Sequence, residues 1–577
     1  MNLILLILSL GYRESSSGLG NPEMEGGRTV LESADVNGDG NPDIVSVGDH
    51  GSPYVNTDEH GIMVWFGNGA GVWSVYQNGD FGYGGVAVGD INNDGLPDVG
   101  YGVHHNYSGT DFGDQLIEAA LGDGTGRNWT PWDDGLAGEG QDWGMFDTDF
   151  GDVNNDGWLD LVSNAFGADD GVWAYLNNRN GTWTKSWGFP GGNSTMDVFF
   201  GDVNRDGFLD IAVAHQGGTV YLGDGTGGFS LDDDGLPPGG TMGRIGISLG
   251  DADNDGGDDL SFVNSQGGLE VWTYNEGSGA WTNFSGSLPS TGTWEFTQLR
   301  DMDCDGNIDL VAAGDSTVAV YRGNGAGTWT LAASIKIDSC LGFNAFRAGA
   351  DADHNGFPDI YLVYEKENDQ WGSVNTPACY LEESSPAELR VFPVYPRGGE
   401  RFYGGSVRFI DWYGSVPAGS ATVSLSISTT GPSGPWSTIA AGLPNGGRFQ
   451  WRVPQTPSTN CYIRYIITSG QSADTAITPR PFEIIGVGDR EEAHAAENRL
   501  LVSPEAGAAG VSLTLVRESE MRLSVYDARG ALCGVLWEGR LAAGKHLFTW
   551  RPERAGAYIL VAESEGWRAI AKTAIVE

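Results

Sequence analysis

The 577-residue chain has no run approaching the ~20 apolar residues that a membrane-spanning helix needs, so no transmembrane segment is expected. No segment shows the long 3.6-residue apolar period of a helical protein. Cysteine is scarce: Cys304, Cys340, Cys379, Cys461 and Cys533 fall at no metal-ligand spacing such as CxxC. Cys340 and Cys379 are a candidate pair, and the others read as small buried side chains. Positive charge is nearly missing from the first two thirds, where residues 1–385 hold 12 Lys+Arg against 59 Asp+Glu. Residues 386–577 are balanced, with 19 against 18. Phosphate binding needs a basic face, so nucleic acid is not an expected partner. There is no HExxH and no phosphate loop, and no catalytic constellation emerges.

Glycine (91 residues) and aromatics are abundant, and short runs rich in Val, Ile, Tyr and Trp alternate with Gly/Asn/Asp clusters, which reads as all-β. The pattern Asp-x-[Asp/Asn]-x-[Asp/Asn]-Gly-x-x-Asp occurs seven times, starting at Asp35, Asp90, Asp152, Asp202, Asp251, Asp301 and Asp351. The starts are 55, 62, 50, 49, 50 and 50 residues apart, a period that marks an array or propeller. Each copy lies between a small-apolar run, such as Val86–Gly89, and a β-branched run, such as Asp43–Val47, so it joins two strands. Gly-rich turns follow, as in Phe66-Gly67-Asn68-Gly69-Ala70-Gly71, and suit tight hairpins. Four strands per repeat make one blade, and seven blades predict a seven-bladed β-propeller over residues 25–385. The seventh repeat lacks the Gly-rich turn after Ile360–Val363, which predicts that the N-terminal segment packs beside it and seals the ring. The extra length before Asp152 falls around His104, His105, Tyr107 and Asp111, which read as a solvated loop rather than a catalytic site.

Calcium takes six to eight oxygens, and alternating carboxylates and amides followed by a turn-forming Gly fold such oxygens around one centre. Positions 1, 3, 5 and 9 would offer side chains, and position 7 its carbonyl. The expected ligands are Asp35, Asn37, Asp39, Asn41 and Asp43 in the first loop, and Asp90, Asn92, Asp94, Leu96 and Asp98 in the second. The third offers Asp152, Asn154, Asp156, Trp158 and Asp160, and the fourth Asp202, Asn204, Asp206, Phe208 and Asp210. The fifth offers Asp251, Asp253, Asp255, Gly257 and Asp259, and the sixth Asp301, Asp303, Asp305, Asn307 and Asp309. The seventh offers Asp351, Asp353, Asn355, Phe357 and Asp359, and is the weakest, with Asn355 where the other loops have a carboxylate. An EF-hand does not fit: position 12 of the first copy is Ser46 and the flanks are strands. Up to seven Ca²⁺ are expected, since like charges this close would otherwise repel.

These nonapeptides and the Phe/Leu-Gly-x-Gly turns resemble the FG-GAP/VCBS repeats of bacterial secreted propellers and of the integrin α-chain headpiece. The resemblance implies calcium in the loops and a role in adhesion or ligand recognition, with an extracellular protein or polysaccharide as partner. The alternative is an extracellular polysaccharide-degrading enzyme that uses the propeller as a scaffold, since fold alone assigns no activity.

Composition shifts after Ser385-Pro386. Runs such as Val407–Trp412, Val423–Ile427, Phe449–Val453 and Tyr462–Ile467 predict an immunoglobulin- or fibronectin-like β-sandwich over residues 388–485, read as a plain spacer with Trp412 and Trp451 in its core. Residues 486–498 read as a polar linker. Residues 499–577 form a second small sandwich. Its Tyr526-Asp527-Ala528-Arg529-Gly530 turn, Ala543-Gly544-Lys545-His546, Ala555-Gly556-Ala557-Tyr558 and Lys572 resemble the type A C-terminal sorting domain of type IX secretion. That resemblance implies contact with secretion machinery and an extracellular or cell-surface location. The apolar start, Met1–Leu10, resembles part of a signal segment, placed within residues 1–20.

Overall fold

The computed structural model describes residues 10–486 and 499–575, apart from 20–23, 26–29, 48–61, 77–83, 103–114, 138–143, 168–170, 193, 338–345, 369–371, 506–507, 516–518, 542–543, 553 and 565–566. Every regular element among them is a strand. None is a helix long and apolar enough to cross a membrane. The chain divides into a unit of residues 1–485 and a unit of residues 486–577.

Each acidic nonapeptide joins the first and second strands of one antiparallel sheet. The first sheet is Leu31–Ala34, Asp43–Val47, Ile62–Gly67 and Trp73–Tyr76. Five more four-stranded sheets follow in the same order, opening with Val86–Gly89, Gly144–Gly151, Ser194–Gly201, Ile245–Gly250 and Trp294–Arg300. The opening strands of successive sheets touch one another, and Phe346–Ala350 of the last sheet touches Leu31–Ala34 of the first. This all-β arrangement of repeated sheets is consistent with a propeller.

The last sheet runs Phe346–Ala350, Asp359–Asn368 and Gly372–Glu382, and its outer strand is Tyr12–Glu14. Tyr12, Arg13 and Glu14 pair with Glu382, Leu381 and Tyr380. The expected sealing by the N-terminal segment is therefore present, and the repeat region begins before residue 25. Residues 12–19 belong to the fold, because Leu19 is fully buried with Trp65, Trp73 and Tyr361. The signal-like expectation is thus confined to residues 1–9, outside the described residues. An indole relay shows the N-terminal strand acting as the fourth strand of the last sheet. Trp183, Trp281 and Trp329, each at the start of a fourth strand or just before it, donate Nε1–H to a carbonyl just after the preceding sheet: Trp132 (2.7 Å), Asp232 (3.0 Å) and Phe284 (3.0 Å). Trp73 makes the same bond to Ser15 (3.1 Å).

Residues 390–485 form two sheets around one core. Arg390–Tyr395, Val407–Ser415 and Arg448–Arg452 make one; Arg401–Tyr403, Phe482–Ile485, Ser458–Ser469, Thr422–Ser428 and Ser437–Pro444 run through the other. Trp412 and Trp451 lie between them with Leu425, Ile463 and Phe482, so both are core residues. In the second unit, a three-stranded and a four-stranded sheet share a core of Val511, Leu513, Leu523, Val525 and Leu560. The Asp527–Ala531 turn is closed by Asp527 Oδ1, which accepts the N–H of Arg529 and Ala531 (2.9 and 2.8 Å), with Gly530 at φ 81°. Cys340, the His104–Asp111 segment and most of the 486–498 linker lie outside the described residues; Cys379 is buried beside Tyr361.

Candidate metal centres on the acidic-loop face

All seven nonapeptides adopt one backbone shape. Position 6 is a glycine at φ 87–99°, from Gly40 to Gly356. Position 4 is also left-handed, at φ 53–71°, although it is occupied by Gly38, Asn93, Asn155, Arg205, Asn254, Cys304 and His354. Arg and Cys are poorly suited to that region, so the surrounding structure imposes it there. The glycine signal was readable in the sequence, whereas the requirement at position 4 was hidden by its varied side chains.

The shape folds the acids inward. In six loops the position-1 carboxylate accepts the N–H of position 5 on Oδ1 and that of position 6 on Oδ2, as Asp35 does from Asp39 (3.0 Å) and Gly40 (2.8 Å) and Asp351 from Asn355 (3.0 Å) and Gly356 (2.9 Å). Asp90, Asp152, Asp202 and Asp301 repeat the pattern. In the fifth loop Asp251 is buried, yet its Oδ1 has no hydrogen-bond partner. Asn37, Asn92, Asn154 and Asn204 at position 3 reach Oδ2 of Asp39, Asp94, Asp156 and Asp206 at 2.9–3.2 Å, so positions 3 and 5 converge in loops one to four. The position-7 N–H of Asn41, Leu96, Trp158, Phe208, Gly257, Asn307 and Phe357 is bonded to Oδ1 of position 5.

Position 9 does more than expected. Asp43, Asp98, Asp160, Asp210, Asp309 and Asp359 each accept the N–H of position 2 on one oxygen. The other oxygen takes the N–H of Gly67, Gly122, Asn177, Gly223, Gly323 or Glu382, at the end of the third strand. These aspartates staple loop to sheet. Asp259 instead holds the N–H of Ala252 and Asp253 (2.7 and 3.1 Å).

Carboxylate oxygens of Asp251, Asp253 and Asp255 lie within 4.8 Å of one another, as do those of Asp301, Asp303 and Asp309, and of Asp351, Asp353 and Asp359. In the sixth and seventh loops the converging carboxylates are those of positions 1, 3 and 9, without position 5. In the seventh, Asn355 Nδ2 donates to the carbonyls of Glu382 and Ser384 (2.8 and 3.2 Å) and to Glu382 Oε2 (3.3 Å). A buried carboxylate not foreseen from sequence, Glu382, therefore supports the seventh loop.

Burial raises these acids. Asp43 and Asp98 are pushed up to about 8. Asp35, Asp152 and Asp301 are pushed to about 6, the last two being opposed by Arg408 and Arg397. Desolvation followed by neighbouring carboxylates holds Asp309 and Asp359 well above their ordinary value. Desolvated, clustered oxygens of this kind fit a hard divalent cation, which favours their charged form. Several of the clusters could bind a metal ion.

The position-4 side chains link neighbouring loops. Asn93 Nδ2 donates to Gly157 O (3.1 Å), Asn254 Nδ2 to Asn307 Oδ1 (3.1 Å), and Cys304 Sγ to Gly356 O (3.4 Å). His354 Nε2 meets Asn41 Oδ1 (3.0 Å), joining the last loop to the first.

The region at 390–485 is no spacer, because it is bonded to this face. Gln450 accepts from Asp90 N–H (3.0 Å) and donates to Asp90 O (2.8 Å). Val407 N–H reaches Asp152 Oδ2 (2.8 Å), Arg452 reaches Gly157 O (2.7 Å), and Arg408 reaches both Asn155 Oδ1 and Gly207 O (3.0 Å each). Tyr403 stacks on Phe208 with ring centroids 4.7 Å apart. Arg480 bonds to Asn254 O and Arg397 to Gly306 O. Val416 N–H bonds to His354 O (2.8 Å), and Gly446 packs on Asp35.

Comparison with known proteins gives a limited set of likenesses. No curated protein matches the chain. Among solved structures, an Agrocybe aegerita lectin described as recognising non-reducing terminal N-acetylglucosamine is 19% identical, over 55% of this chain and 81% of that one, with a TM-score of 0.36. The FN1–FN3 domains of chicken CNTN1 are 10% identical, over 50% of this chain and all of that one, with a TM-score of 0.16. Residues 35–101, 152–213 and 301–362 match the FG-GAP-like repeat, and these three repeats, each opening on an acidic loop between two strands of a sheet, support an FG-GAP β-propeller.

Proposed function

We propose that this chain is a calcium-binding, seven-bladed β-propeller protein of the cell exterior that acts in adhesion or ligand recognition and has no catalytic activity of its own. On this reading Ca²⁺ occupies the acidic loops, held by positions 1, 3, 5 and 9 and the carbonyl of position 7. Asn355 contributes least, its amide being engaged with Glu382 and Ser384. Residues 388–485 are an immunoglobulin- or fibronectin-like sandwich, and residues 499–577 a sorting-like sandwich that addresses the chain to secretion machinery. FG-GAP-like repeats are typical of extracellular ligand-binding propellers, which supports the location and the recognition role.

The observation that carries the reading is the convergence of three carboxylates within 4.8 Å in the fifth, sixth and seventh loops. Unneutralised, such groups repel and oppose folding. The test is elemental analysis of the purified chain together with thermal melting in calcium and in chelator. Several equivalents of calcium per chain and a lower melting temperature in chelator are expected. A chain that carries no calcium and melts identically in both would refute the assignment.

A further inference from the structure

The arginines of residues 390–485 do not meet the acidic face at random. Arg452, Arg408 and Arg397 each donate to the carbonyl of the position-6 glycine, in the third, fourth and sixth loops. Arg401 and Arg480 each donate to the carbonyl of position 4, in the fourth and fifth. Two repeated backbone atoms are thus read by five guanidinium groups. Gln450 brackets the second loop through the backbone of Asp90, with no charge involved.

Positions 4 and 6 are also the two left-handed residues of each loop. The direction of their carbonyls is set by the turn that gathers the carboxylates. Arg397 and Arg480 also approach a position-1 carboxylate, Asp301 at 3.5 Å and Asp251 at 3.4 Å, and Arg408 acts electrostatically on Asp152. The contacts of Arg401 and Arg452 with the loops are to carbonyls. Repulsion among those carboxylates opens the turn, and a cation among them closes it. The atoms that seat residues 390–485 are therefore displayed by the same loop shape that a cation stabilises.

We propose that cation occupancy of the acidic loops and seating of residues 390–485 are coupled, making this region a cation-locked cap over the loop mouths. This rests on the calcium reading above and goes beyond it. The loops are then a docking surface for a segment of the same chain. An outside ligand of the propeller is taken away from the mouths that the cap covers. Coupling is reciprocal: if calcium tightens the cap, the cap tightens calcium.

The test uses hydrogen exchange on the full chain, in calcium and in chelator, with calcium binding followed separately by calorimetry. Amides that cross the junction, those of Asp90, Val407 and Val416, are expected to exchange tenfold or more faster in chelator. The strand Ser458–Ser469, inside the cap, serves as the internal reference and is expected to hold its rate. Equal junction exchange in both conditions, with calcium heat present, overturns the coupling and leaves the calcium reading intact. Absence of calcium heat overturns both. The neutral substitution Gln450→Ala is expected to raise, threefold or more, the calcium concentration that half-protects residues 90–98. An unshifted midpoint also overturns the coupling.

Discussion

His354 Nε2 lies 3.0 Å from Asn41 Oδ1, and this contact joins the last acidic loop to the first. Asn445 Nδ2 stands 3.2 Å from His354 Nδ1, and Asn445 Oδ1 accepts from Trp412 Nε1 (3.0 Å). The polarity is that of a neutral imidazole with its proton on Nε2, and burial lowers the affinity of His354 for a second proton. A core indole of the cap is thereby connected through one histidine to the first loop. His354→Ala leaves Asn41 and Asn445 short of a partner and is expected to cost about 1–3 kcal/mol of stability. Thermal melting checks it, and a double-mutant cycle with Asn41→Ala should show non-additivity.

The two kinds of aspartate in a loop are separable. Asp98 accepts from Ile91 (2.8 Å) and Gly122 (2.9 Å) and is fully buried, so Asp98→Asn sets an amide N–H₂ against a backbone N–H. A loss of about 1–3 kcal/mol is expected in chelator, and a larger one in calcium, where a ligand is weakened as well. Asp94, an exposed ligand candidate, should matter only when calcium is present. Melting Asp94→Asn and Asp98→Asn under both conditions distinguishes the roles.

Removing a carboxylate from a converged cluster should remove an ion. Asp301→Asn is expected to lower bound calcium by about one equivalent per chain, since one of the three converging carboxylates is lost and the site binds more weakly. Elemental analysis after gel filtration gives the number, and an unchanged count would show that the sixth loop holds no ion.

Glu295 is pushed up to about 7 by burial and by its hydrogen-bonded neighbour Asp315. The folded chain therefore binds a proton there that the unfolded chain releases from about pH 4.5 upward. The contribution is present below that pH and is lost as pH rises through 7. Glu295→Gln is expected to flatten the fall in stability between about pH 4.5 and 7, as read by denaturant unfolding across that range.

Leu19 is fully buried beneath Trp65 and Trp73, next to the strand that completes the last sheet. Leu19→Ala is expected to cost about 2–5 kcal/mol, the range for a buried leucine truncation, which a chelator-independent drop in melting temperature would show.

The period of the acidic nonapeptides determined the repeat, the all-β class, the strand–loop–strand placement of each motif and the glycine at position 6, because these depend on spacing and local turn chemistry alone. The absence of a turn after Val363 was enough to anticipate that the N-terminus seals the last sheet. Other features depended on contacts between residues far apart in the chain. Position 4 is left-handed for Arg205 and Cys304 because neighbouring loops and the cap hold it, and no local propensity signals that. Asp98 and its counterparts staple loop to third strand through an N–H 13–24 residues on, a partner invisible to a nine-residue motif. Residues 390–485 look like a spacer as a string of strands; only the tertiary structure brings Arg397, Arg401, Arg408, Arg452 and Arg480 onto loop carbonyls, since backbone oxygens carry no identity in the sequence.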